Sequence, residues 1–232
     1  MVPVMSVKRE LIKGTLILTA AGFAARLLGF FNRVYLANLI SNAELGRYQL
    51  IFPIFMFCMA VSCAGIQVAV SKMVAAYHGA GKKKAIRQTI KSAGITSLIV
   101  ALLSSGCVIA FSEPISRWIL KDISCRGYLV IMAIAVPFAA VHTCVGGYFY
   151  GIRHTAVPAV TQLLEQVVRV VTIYLLGAMM YQKGKIDASV AVWGLAAGEI
   201  FSCFLTWICY RFSIRSQNGG SGSGEPIRKI LR

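Results

Sequence analysis

Long apolar runs separated by short polar connections dominate the pattern of this chain. A helix needs about 20 apolar residues to cross the roughly 30 Å of hydrocarbon in a bilayer. Six runs reach that length, near residues 11–40, 48–76, 92–111, 127–150, 158–180 and 189–210. The pattern therefore predicts an all-α polytopic membrane protein with six transmembrane helices.

The composition supports a fold whose outer surface faces lipid. Hydrophobic residues make up 57% of the chain and charged residues only 14%, whereas roughly 25% charged residues are usual in soluble domains. The first apolar run follows Lys8 and Arg9. It is much longer than the ~7–15 apolar residues of a signal peptide, and two arginines interrupt it. We therefore interpret it as a first membrane helix.

The net charge of +16 is unevenly distributed between the two sides of the predicted bundle. Fourteen basic residues lie on the side that holds both termini and the loop with Lys82, Lys83 and Lys84, and six lie on the other side. The positive-inside rule places the more basic side, with both termini, in the cytoplasm. The basic residues flank apolar runs and form no long tract interleaved with aromatics, which argues against nucleic-acid binding.

The composition changes after the sixth run. Residues 216–224 read SQNGGSGSG, a sequence typical of a flexible linker, and the chain continues as EPIRKILR. We therefore predict a six-helix transmembrane unit over residues 1–212. Residues 213–232 are predicted to form a cytoplasmic Gly/Ser linker and the start of a further helix.

Two arginines lie at bilayer depth in the first run. Arg26 and Arg33 are seven residues apart, which places them within about 20° of each other on a helix. Thr15, Thr19, Gly22 and Gly29 share this face. A charge at the bilayer centre costs at least ~2.5–3.5 kcal/mol. The stripe is therefore expected to face a polar environment and not lipid.

The fifth and sixth runs also carry charged residues. Gln162, Glu165, Gln166 and Arg169 fall within about a 100° arc of the fifth helix, and Glu199 lies near the middle of the sixth. Three arginines at bilayer depth outnumber two carboxylates, so the bundle should enclose a hydrated cationic cavity. The arginine fork suits phosphate and carboxylate oxygens, which indicates an anionic substrate.

Simpler interpretations of these residues stay open at this point. Glu165 and Arg169 form an i,i+4 pair that can neutralise itself and join two helices. Glu199 can pair with Arg26 or Arg33, and His142 in the fourth run can be a packing residue. The seven cysteines form no CxxC motif and no cluster with metal-ligand spacing, so neither a metal site nor a cofactor is predicted. The short aqueous loops offer no catalytic set, so an enzyme is not expected.

Several segments resemble a known family. They are KGTLILTAAGFAARLLGFFNRVYLANLI (13–40), ELGRYQLIFPIFMF (44–57), AGIQVAVSKMVAAY (64–77) and GGYFYGIRHTAVPAVTQLLEQVVRV (146–170). Together they are similar to the polysaccharide-transporter branch of the MOP flippase superfamily, in particular to proteins like stage V sporulation protein B.

This resemblance implies a fold and a function. Family members have two six-helix lobes around a central cavity and flip undecaprenyl-pyrophosphate-linked sugars, including the peptidoglycan precursor, by alternating access. It implies that this chain is the N-terminal lobe of such a protein in the bacterial plasma membrane, and that its partners are membrane lipid, a lipid-linked sugar pyrophosphate and a C-terminal lobe absent here. Arg26 and Arg33 match cavity arginines of related lipid II flippases.

We therefore expect a half-transporter whose cavity holds the pyrophosphate of a lipid-linked oligosaccharide. The predicted cavity residues are Arg26, Arg33, Gln162, Gln166 and Arg169, and the residues predicted to balance charge or couple transport to an ion are Glu165 and Glu199. One alternative is a cation-coupled multidrug or toxin antiporter of the same superfamily, which would place carboxylates in the cavity. A second alternative is a non-transporting membrane scaffold, in which neighbouring helices would fill the polar stripes.

Overall fold

The computed structural model of this chain describes residues 4–181 and 186–218. These residues form helices joined by short connections, and they contain no strand. The α-helices are α1 (Val4–Leu39), α2 (Asn42–Met59), α3 (Gly65–Gly79), α4 (Lys83–Ala110), α5 (Ser112–Pro114), α6 (Cys125–Gly151), α7 (Ala156–Tyr181) and α8 (Ser189–Asn218). Two segments are π-helical. Ala60–Ala64 lies between α2 and α3, and Ile115–Ile119 follows α5 directly.

Within the described residues, six helices are long and apolar enough to cross a membrane. They are Gly14–Leu39, Asn42–Gly79, Lys83–Ala110, Cys125–Gly151, Ala156–Tyr181 and Ser189–Arg215. The second of them comprises α2, the π-helical segment and α3. The prediction of an all-α protein with six transmembrane helices is therefore confirmed.

Several predicted boundaries differ from the observed helix ends, and buried residues explain two of these differences. The third transmembrane helix, α4, begins at Lys83 and not near residue 92. Ile86 and Ile90 are buried, so the helix already packs against the bundle before the apolar run begins. The last helix continues to Asn218, past the predicted boundary at residue 212, because Ser213 is buried and hydrogen-bonded to Tyr148 at 2.8 Å. The remainder of the predicted linker and further helix, residues 219–232, lies outside the described residues.

Helix α6 is the centre of the bundle and contacts α2, α3, α4 and α8. Its glycines allow α3 to approach closely. A Cβ added at Gly151 would lie 2.7 Å from the Val74 Cβ and 2.9 Å from the Ser71 carbonyl oxygen. One at Gly147 would lie 2.9 Å from another backbone oxygen of α3. Small residues of this kind set close helix contacts in membranes, where no hydrophobic effect drives association.

The π-helical segment in the second span is joined to α4 by serine hydroxyls. The Ser97 hydroxyl donates to the Ser62 carbonyl oxygen at 3.0 Å, and the hydroxyls of Ser62 and Ser104 lie 3.1 Å apart. A π-bulge disturbs the backbone hydrogen-bond ladder of a helix, and side-chain donors from a neighbouring helix satisfy it in an apolar environment.

The two ends of the bundle differ in charge. Lys82, Lys83 and Lys84 mark one end, which we call the basic end. At the opposite end, Arg47 forms ion pairs with Glu44 and with Asp122, the latter at 2.7 Å. The hydrogen bond from Arg47 holds the pKa of the Asp122 carboxyl, which lies in the loop before α6, below its usual value.

Glu44 ties further elements into this network. Its Oε2 accepts hydrogen bonds from the Tyr128 hydroxyl at 3.0 Å and from the Ala188 backbone N–H at 2.9 Å. Tyr128 belongs to α6, and Ala188 directly precedes α8, where a carboxylate is favoured by the helix dipole. Three transmembrane helices are thus joined at this end through one carboxylate.

Helix α1 is held mainly by α7. At the basic end, the Thr155 hydroxyl donates to the Gly14 carbonyl oxygen at 3.3 Å. Near the other end, Leu39 packs against Gly177, whose added Cβ would lie 2.7 Å from a Leu39 methyl group. Between these contacts, α1, α2 and α7 enclose the cavity described next.

Candidate functional site

A cavity of about 560 Å³ lies between α1, α2 and α7. Its polar lining residues are Arg26, Asn32, Arg33, Tyr48, Gln162, Gln166 and Arg169. All five residues that the sequence predicted to line a cavity are therefore brought together around one space. The polar faces of the first and fifth transmembrane helices, α1 and α7, lie opposite each other across this space.

Helix α1 presents two different faces. Arg26 and Arg33 are exposed, and no carboxylate of the described residues lies within 4.0 Å of either guanidinium. Gly22 and Gly29 line the cavity as well, and a Cβ added at either position would meet nothing within 4 Å. Phe31, on the opposite face of α1, is 64% exposed and does not line the cavity. At Gly22, Arg26, Gly29 and Arg33, the polar stripe of α1 thus borders open space that no other helix of the described residues fills.

Arg169 lies where the cavity meets a buried acidic cluster. Its Nη2 is 2.8 Å from Glu165 Oε1 and 3.6 Å from Glu199 Oε1. The pairing of Glu199 with Arg26 or Arg33, which the sequence left open, is not observed. Glu199 belongs to α8, which packs against α6 and α7, whereas α1 packs against α7. Glu199 therefore lies beside Arg169 of α7 and not beside the arginines of α1.

Two glycines of α8 bring the acidic cluster together. A Cβ added at Gly198 would lie 3.2 Å from the Glu165 carbonyl oxygen, and one at Gly194 would lie 3.2 Å from the Arg169 carbonyl oxygen. The close approach of α7 and α8 places Glu199 beside the residues of α7. A small-xxx-small pattern is a known signal for such contacts, and the sequence carries it at these two glycines.

His142 on α6 completes the cluster. Its Nδ1 lies 3.9 Å from Glu199 Oε2, too far for a hydrogen bond. One ring nitrogen of His142 and one carboxylate oxygen each of Glu165 and Glu199 lie within 4.8 Å of one another. Both glutamates are buried. We call His142, Glu165, Arg169 and Glu199 the buried cluster. The sequence alone gave no reason to prefer this position for His142 over simple packing.

A second, smaller cavity of about 160 Å³ borders the buried cluster. Gln67, His142, Tyr150, Gln162 and Glu165 are among its lining residues. Gln162 lines both cavities, and the ion pair between Glu165 and Arg169 lies between them. The acidic side of this pair therefore faces the small cavity, and its basic side faces the large one.

The lining also includes residues that were not singled out from the sequence, among them Asn32, Tyr48 and Phe52. Tyr48 and Phe52 of α2 form an aromatic wall, and Tyr48 lies close to both Arg33 and Arg169. Asn32 also faces the cavity, and its buried Oδ1 has no hydrogen-bond partner among the described residues. A polar residue next to Arg33 inside an apolar run was the signal that could have identified it.

The large cavity is strongly cationic. Three guanidinium groups line it, and its lining residues in the described chain include no carboxylate. Arginine binds phosphate and carboxylate groups through two parallel hydrogen bonds, and such charge-assisted bonds are roughly twice as strong as neutral ones. The arrangement is chemically suited to an anion with several oxygens.

Comparisons with known proteins give relatives of this chain in Bacillus subtilis (strain 168). Stage V sporulation protein B is 29% identical over 206 residues, which cover 88% of this chain and 40% of that protein. Lipid II flippase MurJ is 25% identical over 182 residues, which cover 73% of this chain and 32% of that protein. Uncharacterized membrane protein YabM is 26% identical over 204 residues, with coverages of 84% and 35%.

The chain thus spans at most 40% of the length of these curated relatives. No solved structure matches it significantly. The sequence model of the family described as "Polysaccharide biosynthesis protein" matches residues 11–232, almost the whole chain. This multi-pass membrane protein therefore belongs to the polysaccharide biosynthesis protein family, in the polysaccharide-transporter branch of the MOP flippase superfamily.

Proposed function

We propose that this chain is one six-helix lobe of a flippase that moves a lipid-linked sugar pyrophosphate across the bacterial plasma membrane. The observation that carries the proposal is the large cavity with three guanidinium groups and no carboxylate in its described lining. The name of one relative, lipid II flippase, supports a substrate of this class.

The chemistry of the cavity fits a pyrophosphate diester. Such a group carries two negative charges and many oxygens, which matches Arg26, Arg33 and Arg169 better than a single carboxylate would. Gln162 and Gln166 offer amide donors beside them. The sugar would pass through the hydrated cavity while the lipid tail stays in the bilayer.

The size of the cavity is compatible with part of such a substrate. Ligand pockets commonly measure about 300–1,000 Å³, and this cavity has about 560 Å³. In the proposal, a second lobe faces α1 and α2 and encloses the remainder of the substrate. The alignment with stage V sporulation protein B supports this. It covers 40% of that protein, so about three fifths of its length has no counterpart in this chain.

The orientation in the membrane is also part of the proposal. The distribution of basic residues and the positive-inside rule support a cytoplasmic location for the basic end, with both termini. The buried cluster and the large cavity would then lie at the depth of the bilayer. A substrate could reach them from either side of the membrane during alternating access.

The two alternative functions predict different linings. A cation-coupled drug antiporter requires acids in the large cavity, whereas Glu165 and Glu199 lie on the far side of Arg169 from it. A non-transporting scaffold requires packed polar stripes, whereas open space borders Gly22 and Gly29. Both observations favour an anion transporter.

Binding of a short-chain polyprenyl pyrophosphoryl sugar to the chain in lipid nanodiscs tests the proposal. Each charge-assisted hydrogen bond contributes about 1.5–3 kcal/mol, so the double change Arg26→Ala and Arg33→Ala should weaken binding at least roughly a hundredfold. Arg117→Ala is the matched control, since Arg117 is an exposed arginine paired with Glu113 outside the cavity. Equal affinity of the double variant and the wild type would refute the proposed function.

A further inference from the structure

The buried cluster contains more acid than base. Glu165 and Glu199 bring two carboxylates, and Arg169 brings one guanidinium, which contacts both. If both carboxylates were ionised and His142 neutral, one negative charge would remain in a site where both glutamates are only 7% exposed. An uncompensated buried charge is unfavourable, so the cluster has an affinity for one proton, and this affinity depends on the other charges nearby.

The cluster also has hydrogen-bonding capacity that the described residues do not use. The Ser202 hydroxyl is fully buried beside Glu165 and has no partner of good hydrogen-bond geometry. The buried Nδ1 of His142 and Nε of Arg169 are also without partners among the described residues. These groups surround the carboxylates, and unsatisfied buried polar groups are rare enough to need an explanation.

We propose that Glu165, Glu199 and His142 form a proton-binding site, and that anion binding at Arg169 is linked to proton uptake at this site. The inference rests on the proposed function, because it places the pyrophosphate of the substrate at Arg169. Arg169 is the shared element, since it lines the large cavity and contacts both carboxylates.

The linkage follows from charge. A pyrophosphate diester at Arg169 brings two negative charges close to Glu165 and Glu199 and competes for the guanidinium that stabilises their ionised form. Like charges at short range disfavour ionisation, so a carboxylate takes up a proton from water. The reverse also holds, because a protonated cluster leaves Arg169 free for the anion.

The small cavity provides a route for the proton. It borders His142 and Glu165, and Tyr150 near the end of α6 and Pro158 near the start of α7 extend its lining toward the basic end. The large cavity reaches Arg169 from the other side. The proton and the anion thus approach the shared arginine through separate spaces.

Other groups around the cluster do not replace this proton site. Arg26 and Arg33 lie across the large cavity, and Tyr48 faces Arg169 from α2. The thiols of Cys63, in the π-helical segment, and Cys203 on α8 lie near Glu199. These are cationic, phenolic or thiol groups, so the described neighbours add no further carboxylate.

A proton fits the cluster better than a metal ion. The donor atoms of His142, Glu165 and Glu199 lie within 4.8 Å of one another, close enough to share a cation. However, the Arg169 guanidinium already contacts both carboxylates at 2.8 and 3.6 Å. A metal ion would have to displace it, whereas a proton adds to the cluster without moving it.

Calorimetric titration of the nanodisc-bound chain with the short-chain polyprenyl pyrophosphoryl sugar tests the linkage. This probe is a pyrophosphate diester whose two negative charges do not change near neutral pH. Protons exchanged on binding are therefore exchanged by the protein. Titrations in buffers with different ionisation enthalpies should show uptake approaching one proton. The Kd should rise with pH, by up to about tenfold per pH unit over the range in which binding takes up one proton.

Variants separate this inference from the proposed function. Glu165→Gln and Glu199→Gln should each bind the probe with little pH dependence and reduced proton uptake, whereas Glu113→Gln, at an exposed carboxylate outside the cluster, should behave like the wild type. Pyrophosphate binding without proton exchange would overturn the linkage alone. Absence of binding to the wild type would overturn both proposals. Binding that requires Na⁺ and is independent of pH would contradict a proton site.

Discussion

Arg169 differs from the other two arginines of the large cavity in what surrounds it. It contacts two buried carboxylates, whereas Arg26 and Arg33 are exposed and have no carboxylate of the described residues within 4.0 Å. The same residue type therefore has two roles here. Arg26 and Arg33 are available to a ligand, and Arg169 also stabilises the fold.

This difference predicts unequal effects on stability. Removal of one partner from a buried ion pair commonly costs about 3–5 kcal/mol, because the remaining charge is uncompensated. Arg169→Ala should therefore lower the thermal unfolding temperature in detergent by several degrees, whereas Arg33→Ala should change it little. Adding Glu165→Gln to Arg169→Ala should restore much of the loss. Equal stability of the two single variants would show that the buried ion pairs do not stabilise the fold.

At this scale the sequence predicted the cavity better than the cluster. Seven-residue spacing placed Arg26 and Arg33 on one face, and i, i+3, i+4, i+7 spacing grouped Gln162 with Arg169, because helical periodicity alone fixes which residues share a face. Which other helix Glu199 contacts depends on the packing of α8 against α7. Periodicity within one helix carries no information on that packing.

Among the elements, α6 lies at the centre of the bundle, and its glycines allow α3 to pack closely against it. A Cβ at Gly151 would clash with the Val74 Cβ and with the Ser71 carbonyl oxygen, and neither atom is the mobile end of a side chain. The contact is therefore sensitive to a single methyl group.

Gly151→Ala should be destabilising despite the higher helix propensity of alanine. Overpacking commonly costs about 1–3 kcal/mol, so we expect a lower unfolding temperature in detergent. Gly106→Ala in α4 is the matched control, because a Cβ there meets nothing within 4 Å, and alanine should stabilise that helix by up to about 1 kcal/mol. A Gly151→Ala variant as stable as this control would contradict the close packing of α3 on α6.

The sequence predicted the number of elements but not all their ends. Hydropathy identified the six spans because apolar length is what a bilayer demands. It missed the first turns of α4, where the buried Ile86 and Ile90 alternate with basic residues, and the π-helical segment at Ala60–Ala64. Both features depend on contacts with other helices and not on mean hydropathy.

For the whole molecule, the network of Arg47, Glu44 and Asp122 joins the helices at the end opposite the basic one. Because the pKa of Asp122 is lowered in the folded protein, its contribution to stability is present above the unfolded-state pKa. It is lost as the pH falls through the lowered folded-state pKa.

Asp122→Asn should therefore unfold at a lower temperature than the wild type at neutral pH. The difference should shrink as the pH is lowered into the acidic range, where Asp122 of the wild type also becomes protonated. Unfolding temperatures measured across a pH series would show this, with Glu113→Gln as a control for a nearby exposed carboxylate. A difference that stays constant with pH would contradict the proposed contribution of the Asp122 carboxylate.

The central claim is that the polar stripe of α1 borders water that an anionic substrate can enter. Reactivity toward a hydrophilic thiol reagent tests it, in a background where the seven native cysteines are replaced and a single Gly29→Cys or Phe31→Cys change is introduced. Phe31 is the control, because it is an exposed residue on the opposite face of the same helix and does not line the cavity. The cysteine at position 29 is expected to react at least about tenfold faster than the one at 31, and the pyrophosphoryl sugar is expected to slow it. Equally slow reaction at both positions would contradict a water-filled cavity.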